Sequence, residues 1–316
     1  MNKRMYGVIG VRAVMANWNA DFTGYPKTTS NGSIFGSDKA VKYPMKRMWL
    51  NEGKKVMYTK TFTEKKETKF IPRTLQERYD YVFETDLKST TNKVDVLKNL
   101  LTAIDVKNFG ATFAEAGANI SITGAVQIGQ GFNKYDDTEV QEQQILSPFR
   151  DPKGTTDKET KEKTGEASQS TLGTKIVVDE AHYFYPFVIN PSVYDEFVEL
   201  GVTAGYTEED YVEFKRVACA SATAHNSNSK FGCENEFSLF IETQQDVYLP
   251  DIAQYMTFEK GVNKDTISFE ITPLLESLGD KVLKVEVYYN PLKLDIHNAP
   301  ANTTYFNIFT QEEIVA

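Results

Sequence analysis

GVIGVRAVM, which spans residues 7–15, decides the fold class that we predict for this chain of 316 residues. The run is rich in valine, isoleucine and small residues, and Arg12 is its only charged residue. β-Branched residues favour strands, and Asn17 and Asn19, which are common in turns, follow the run. We therefore predict a buried first strand and read the remaining elements relative to it.

The elements that follow this strand mix helices with strands. Val94, Leu97 and Leu101 recur at spacings of three and four and predict a short amphipathic helix over 93–104. Thr207 and Asp210 have the spacing of a capping box, which opens a second helix. Apolar patterning predicts further strands over 119–130, 236–243 and 282–289, and a strand pair over 175–189. Together they predict an α+β fold with an RRM-like (ferredoxin-like) sheet and long insertions.

Two long segments lack a strand or helix pattern, and no internal repeat divides the chain, so we predict one domain over 1–316 with appendages. From 20 to 46, turn residues such as Gly24, Pro26 and Pro44 are interleaved with lysines, which predicts a long loop. Residues 133–174 include the polar run DPKGTTDKETKEKTGEASQSTLGT at 151–174. Because this run can bury almost nothing, we predict a mobile hairpin that stands off the body.

The net charge of −9 conceals an asymmetry along the chain. Residues 1–73 carry 15 lysines and arginines against five acidic residues, a net charge of +10. The remaining residues carry 20 against 39, a net charge of −19. Such asymmetry indicates either that the basic part meets a polyanion or that it balances acidic patches of the same molecule, and charge alone does not decide between them.

A cluster of cations and aromatic rings favours a nucleic-acid partner. Five cations, Lys27, Lys39, Lys42, Lys46 and Arg47, accompany Asp38 as the only acid between residues 27 and 47. The rings of Tyr25, Phe35, Tyr43 and Trp49 are interleaved with them. Cations bind phosphates and aromatic rings stack on unpaired bases, so the combination is typical of single-strand binding. Each ring taken alone is more often packed beneath its own loop.

Three groups of motifs, in this order, resemble a known family. The first is NWNAD at 17–21 with IFGSDKA at 34–40 and Lys42-Tyr43. The second is Phe109-Gly110 with ITGAVQ at 122–127, and the third is LGTK at 172–175 with AHYF at 181–184. They cover most of the chain and resemble the backbone subunit of the type I-B CRISPR Cascade complex.

The resemblance implies a hand-shaped subunit with an RRM-like palm, fingers and a thumb hairpin. Copies of such a subunit stack into a filament along a CRISPR guide RNA, beside other Cascade subunits, and present guide segments for pairing with target DNA. Residues 20–73 would form the RNA-gripping finger region and residues 127–180 the thumb. Because much of the thumb is acidic here, only its base, from Gln127 to Lys134, is expected to face RNA. The RNA-binding residues expected from motifs and resemblance together are Asn17, Asn19, Lys27, Ser37, Asp38, Lys39, Lys42, Tyr43, Lys46, Arg47, Gln127 and Lys134.

We expect no catalysis, no cofactor and no metal. The sequence contains no G-x-x-x-x-G-K-[ST], H-E-x-x-H or G-x-S-x-G motif. The three histidines, His182, His225 and His297, lie far apart and are expected to be structural. Asp21 and Asp38 are the acids nearest the cations, and we expect turn or capping roles for them.

Two alternatives stay open. One is a metal-dependent target-RNA endoribonuclease, because related type III backbone subunits carry an aspartate that cuts target RNA. The other is a protein-interaction module whose basic loop meets an acidic partner. No apolar run approaches the roughly 20 residues that span a bilayer, so we expect a cytoplasmic protein that does not meet a membrane. Cys219 and Cys233 fit no zinc spacing and are expected to be reduced and buried.

Overall fold

The computed structural model describes residues 1–65, 69–89, 92–115, 117–150 and 169–315. Its strands are β1 (Arg4–Ala16), β2 (Phe35–Gly36), β3 (Phe62–Lys65), β4 (Lys69–Pro72), β5 (Gly110–Glu115), β6 (Ala118–Thr123), β7 (Val126–Ile128), β8 (Gly131–Asn133), β9 (Val140–Arg150), β10 (Gln169–Ile189), β11 (Cys233–Thr243), β12 (Met256–Glu259), β13 (Asp265–Phe269), β14 (Val282–Tyr289), β15 (Leu294–His297) and β16 (Thr303–Asn307). Its α-helices are α1 (Asp38–Asn51), α2 (Leu75–Phe83), α3 (Lys93–Thr102), α4 (Ile104–Phe109), α5 (Asp195–Glu199), α6 (Glu208–Ala224) and α7 (Thr272–Ser277). The prediction of an α+β fold is confirmed.

The predicted first strand lies in the middle of the main sheet. The strand order is β16-β14-β11-β1-β10-β8-β2, and β7 and β9 pair with other parts of β10. β1 pairs antiparallel with β10 from Met5 to Ala16 and with β11 from Arg4 to Ala13. Along the chain, β1, α4, β7 with β8, β10, α6 and β11 follow the β-α-β-β-α-β order of ferredoxin-like folds.

Each face of this sheet is covered by its own layer, because successive side chains of a strand point to opposite faces. Met5 and Ile9 of β1 belong to a buried cluster that includes residues of α1, α3, α4 and α6. Tyr6 and Val8 belong to a second cluster with the three-stranded sheet β12-β13-β15 and α7. We call these sides the helix face and the small-sheet face. Burial on both sides explains why β1 reads as a nearly continuous apolar run.

The loop predicted for residues 20–46 is wrong at its C-terminal end, because α1 begins at Asp38. Val41, Met45 and Trp49 are fully buried and recur every four residues, so they form the apolar stripe of an amphipathic helix. The turn propensity of Gly36 and Pro44 is overridden by this packing. Pro44 is tolerated inside the helix and is itself buried.

Two strand predictions also need correction. The segment 119–130 forms two strands, β6 and β7, separated at Gly124, where an added Cβ would lie 2.2 Å from the backbone nitrogen of Gly110. The segment 175–189 belongs to one strand of 21 residues instead of a strand pair, because β10 pairs with β9 at its start and with β1 at its end.

Other predictions are confirmed. Helix α3 covers most of 93–104, and Thr207 and Asp210 form the expected capping box at the start of α6. The predicted hairpin is present, since β9 pairs antiparallel with the first half of β10. The predicted mobility of its polar run concerns residues 151–168, which lie outside the described residues. Cys219 and Cys233 are buried and free. In the described ranges, no helix combines the length and hydropathy that crossing a bilayer requires.

Candidate nucleic-acid interface

A cleft on the helix face lies where the first turns of α1 meet the turn that follows α6. It encloses about 300 Å³. The residues that line it are Trp18, Asn19, Lys27, Ser37, Lys39, Ala40, Tyr43, Pro44, His225 and Lys230. Five of the residues predicted from the sequence to bind RNA therefore line this cleft, namely Asn19, Lys27, Ser37, Lys39 and Tyr43.

A second cleft of about 620 Å³ continues from the first one. The two share Tyr43, Pro44 and His225, and the second adds Arg47, which was also predicted, as well as Lys60 and Phe62. We call the two clefts together the basic groove. It runs along one side of α1 from the loop at Lys27 to the first residue of β3.

Four cations of the basic groove lack an acidic partner in the part of the chain that the structure describes. Among the described residues, Lys27, Lys39, Arg47 and Lys60 take part in none of the ion pairs. Other cations of the basic N-terminal segment are paired: Lys3 lies 2.7 Å from Glu242 and Lys54 lies 3.1 Å from Glu213. Part of the charge asymmetry seen in the sequence is thus balanced within the molecule. Lys27, Lys39, Arg47 and Lys60 are not part of that balance, since Glu52, the acid that lines the second cleft, pairs with Arg216.

The aromatic side chains of the groove are open to stacking. The ring of Tyr43 is 47% exposed and packs edge-on against the His225 imidazole, with ring centroids 5.3 Å apart. At the other end, Phe62 is 52% exposed and the Lys60 ammonium lies 5.3 Å from its ring centroid. Alternating cations and accessible rings suit a single strand, whose phosphates and bases alternate in the same way.

The start of α1 adds backbone donors to the groove. The Ser37 hydroxyl makes no capping hydrogen bond, while the Ser37 N–H donates to the Asn19 side-chain oxygen at 2.8 Å. The Ala40 N–H donates to the Ser37 carbonyl at 2.9 Å, and the amides of Asp38 and Lys39 before it receive no capping bond from the Ser37 side chain. The positive end of the helix dipole favours anions at this position.

Two groove residues far along the chain were not predicted from the sequence. The Lys230 ammonium donates to the backbone oxygens of Asn17 and Trp18, and burial lowers the pKa of Lys230. Burial also lowers the pKa of His225, and the charges of Lys230 and Arg47 lower it further. A bound phosphate would relieve this repulsion. No local motif marks either residue, since each lies about 180 positions or more from the loop that it contacts.

Two predicted residues, Asn17 and Lys46, are engaged in internal contacts instead of facing the groove. Asn17 is buried and donates to the backbone oxygens of Gly24 and Ile176. The Lys46 ammonium donates to the Tyr58 carbonyl at 3.0 Å, and burial lowers the pKa of Lys46. Asn17 and Lys46 thus fix the loops at either end of the groove.

Asp38 and Lys42 pair with each other. Their charged atoms lie 2.9 Å apart, one helical turn from each other, and the Lys42 ammonium lies 5.2 Å from the ring centroid of Phe109. Asp21 is occupied in a turn, where its carboxylate accepts from the Thr23 hydroxyl and from the N–H groups of Thr23 and Tyr25. The Thr23 hydroxyl and these amides lower the pKa of Asp21. The turn role expected of Asp21 agrees with these contacts, whereas Asp38, the first residue of α1, makes an ion pair with Lys42 in place of the expected turn or capping contact.

Gln127 and Lys134 lie away from the basic groove. Val126 and Ile128 point into the helix-face cluster, so the side chain of Gln127 between them points to the small-sheet face. It lines a separate cleft of about 510 Å³ that also contains Asp251. Burial lowers the pKa of Lys134, and the charge of Asp251 opposes that shift.

Charged residues of a different kind lie on the small-sheet face. We define the ionic cluster as Arg12, Glu180, His182, Glu236, Lys260 and Asp265. Glu180 lies 2.6 Å from Arg12 and 2.8 Å from Lys260, and the fully buried His182 ring lies 2.8 Å from Glu236. Burial lowers the pKa of His182, but the carboxylates of Glu236 and Glu180 outweigh it and raise the pKa to about 9.

Three side chains of the ionic cluster are of the types that ligate metals, and the donor atoms of Glu180, His182 and Asp265 lie within 4.8 Å of one another. The Lys260 ammonium, however, contacts both carboxylates, at 2.8 and 3.3 Å. A lysine in this place supplies the positive charge that a metal ion would bring. The contacts therefore describe an internal ion-pair network, and His182 has the structural role expected from the sequence.

The fold and the groove together define an α+β protein with the kind of surface that binds single-stranded nucleic acid. Residues 3–272 match the family model described as CRISPR-associated protein Cas7, and the chain belongs to this family. The resemblance inferred from short motifs is thereby confirmed at the level of the family. Among curated proteins, none matches the chain by sequence.

Two solved structures are similar to this chain, and the first of them shows the same fold. A chain of a "CRISPR RNA-guided surveillance complex, pre-nicking" aligns with a TM-score of 0.50 and 14% identity, covering 94% of this chain and 97% of that one. A chain of a "CRISPR RNA-guided surveillance complex" aligns with a TM-score of 0.46 and 13% identity, covering 93% and 96%.

Proposed function

We propose that this Cas7-family protein binds a CRISPR guide RNA as the repeating backbone subunit of a type I-B Cascade complex in the cytoplasm. Neighbouring copies stack along the guide beside other Cascade subunits, and the guide segments they hold pair with target DNA. The observation that carries the proposal is the row of cations in the basic groove that have no acidic partners among the described residues. Family membership and the surveillance-complex folds support it.

The chemistry of this role is binding of the RNA backbone. Lysines and arginines neutralise phosphates, and helix amides donate to phosphate oxygens, without reading the edge of any base. Such recognition is independent of sequence, which a guide that differs from one spacer to the next requires. The rings of Tyr43 and Phe62 add stacking, which tolerates any base.

We propose further that the protein does not cut RNA. This is supported by the engagement of Asp21 in its turn and of Asp38 with Lys42, because neither carboxylate is left free beside the groove to hold a metal ion. The type III alternative would need one of these aspartates for metal-dependent cleavage.

The binding proposal is tested by co-expressing the protein with a CRISPR array and other Cascade subunits. We expect the purified protein to carry a discrete small RNA, visible in the absorbance ratio and on a gel. The combined charge reversal Lys27→Glu, Lys39→Glu and Arg47→Glu should remove the RNA. Lys293→Glu, an exposed lysine on the far side of the molecule, is the matched control and should retain it. Equal RNA content in both variants would contradict the proposal.

The second proposal is tested with complementary RNA and divalent metal added to the guide-bound protein. We expect intact RNA for the natural chain and for Asp21→Asn and Asp38→Asn alike. Cleavage at regular intervals that either substitution abolishes would establish the endoribonuclease instead.

A further inference from the structure

The hairpin of β3 and β4 presents two phenylalanines to solvent on the same face. Its register places Phe62 opposite Pro72 and Phe70 opposite Glu64. Because partners across an antiparallel pair share a face and alternate residues of a strand do too, Phe62, Phe70 and Pro72 lie together. Phe62 is 52% exposed and Phe70 is 76% exposed.

The base of this hairpin is held in place by arginines. The Arg73 N–H donates to the Thr61 carbonyl at 2.9 Å, and its guanidinium donates to the Phe62 carbonyl and lies 4.1 Å from the ring centroid of Tyr81 in α2. Arg78 donates to the Val56 carbonyl and to the Thr61 hydroxyl. A two-stranded hairpin is marginal by itself, so these contacts explain how it keeps a fixed position.

The hairpin continues the basic groove. Phe62 and Lys60 form part of the groove wall opposite Arg47, and Phe70 lies beyond Phe62 on the same hairpin face. Single exposed apolar residues are common on protein surfaces and indicate no function. Two exposed rings on one face, next to cations without ion-pair partners, form an aromatic patch in a positively charged setting. Lys60 and Arg47 make the groove side of this patch basic, while Glu64 lies on the same hairpin face opposite Phe70. Cations next to accessible rings favour an aromatic ligand attached to an anionic backbone.

We propose that Phe62 and Phe70 form a base-stacking platform for unpaired bases of the RNA whose phosphates lie in the basic groove. This inference rests on the proposed function and adds to it the place where the bases lie. The rings bind the faces of the bases, so the platform accepts any sequence. Lys60, above the ring of Phe62, is positioned to reach the phosphate next to the stacked base.

The test separates bases from phosphates. The ligands are a short oligouridylate, whose bases stack little on one another, and an abasic oligomer of the same length and charge. Phe62→Leu with Phe70→Leu removes both rings and keeps apolar side chains at two exposed positions. We expect this variant of the full chain to bind the oligouridylate about tenfold more weakly than the natural chain and the abasic oligomer equally well. Phe309→Leu is the control, since Phe309 is 51% exposed and follows β16, away from the groove.

The other outcomes contradict the base-stacking platform, and one of them also contradicts RNA binding by the groove. Unchanged affinity of the double variant for the oligouridylate overturns the platform and leaves the groove standing. A natural chain that binds neither oligomer overturns both. If the double variant binds both oligomers normally but no longer co-purifies with other Cascade subunits, the hairpin is a protein-docking surface and the platform is wrong.

Discussion

The basic groove and the ionic cluster are both rich in charge, yet they differ in where their counter-charges come from. In the ionic cluster, the single carboxylate of Glu180 contacts three residues, Arg12, Lys260 and His182, so the positive charges are matched inside the fold. In the groove, Lys39 and Arg47 project beside exposed rings, and the described part of the chain offers them no carboxylate partner. The difference shows which charges hold the fold together and which are left for a ligand.

The largest effect on stability is expected from a substitution that breaks the ionic cluster. Glu180→Gln removes the charge shared by Arg12, Lys260 and His182. Because His182 is fully buried but Glu180, Arg12 and Lys260 are only partly buried, we expect a cost of about 3 kcal/mol, at the lower end of the range for a broken buried ion pair. We expect that loss in the free energy of unfolding measured with urea. Glu276→Gln changes an exposed carboxylate of α7 and should stay within about 0.5 kcal/mol of the natural chain. A loss of less than about 1 kcal/mol for Glu180→Gln would show that the cluster contributes little to stability.

A change of pH tests the same cluster. The pKa of His182 rises from 6.5 to about 9 in the folded chain. Its contribution is therefore fully present below pH 6.5 and is lost as the pH rises through about 9, and the shift corresponds to about 3 kcal/mol. We expect the natural chain to be more stable than His182→Gln at pH 6 and the gap to shrink by pH 9.5. His297→Gln, on an exposed position of β15, should follow the natural chain, and a gap that stays constant would contradict the assignment.

A smaller effect is expected from a ring in the groove. Tyr43→Leu removes one accessible aromatic surface and should weaken binding of single-stranded RNA by about 1 kcal/mol, roughly fivefold. Its stability should change little, because the ring is half exposed and contacts mainly His225. Fluorescence anisotropy measures the affinity, and Tyr255→Leu, which replaces a comparably exposed tyrosine on the other side of the sheet, is the control. An equal loss of RNA affinity in both variants would show that Tyr43 is not part of the RNA interface.

The sequence predicts the elements whose signals are local. The apolar run of β1 and the capping box at Thr207 each determine their element within a few residues, so both appear where expected. Helix α1 was missed because Gly36 and Pro44 carry strong turn propensity. The stripe of Val41, Met45 and Trp49 that overrides them is stabilised by contacts with distant parts of the chain.

The groove itself could be predicted only in part. The lysines near residue 40 mark a basic region, but the sequence does not tell which of them find internal partners. Lys42 pairs with Asp38 and Lys46 bonds to a carbonyl, whereas Lys39 remains available. His225 and Lys230 line the groove because β1 and α6 bring segments about 200 residues apart into contact. No sequence pattern near either residue predicts that contact.

The central claim is that the cations of the basic groove neutralise RNA phosphates, and the salt dependence of affinity tests it most directly. For single strands, the logarithm of affinity should fall with the logarithm of salt concentration by about 0.7 per neutralised phosphate. The account predicts a steep slope for the natural chain and a slope smaller by about 1.4 after Lys39→Gln with Arg47→Gln, while Lys293→Gln leaves it unchanged. A binding isotherm that does not move between low and moderate salt, or identical slopes for the groove variant and the natural chain, would contradict it.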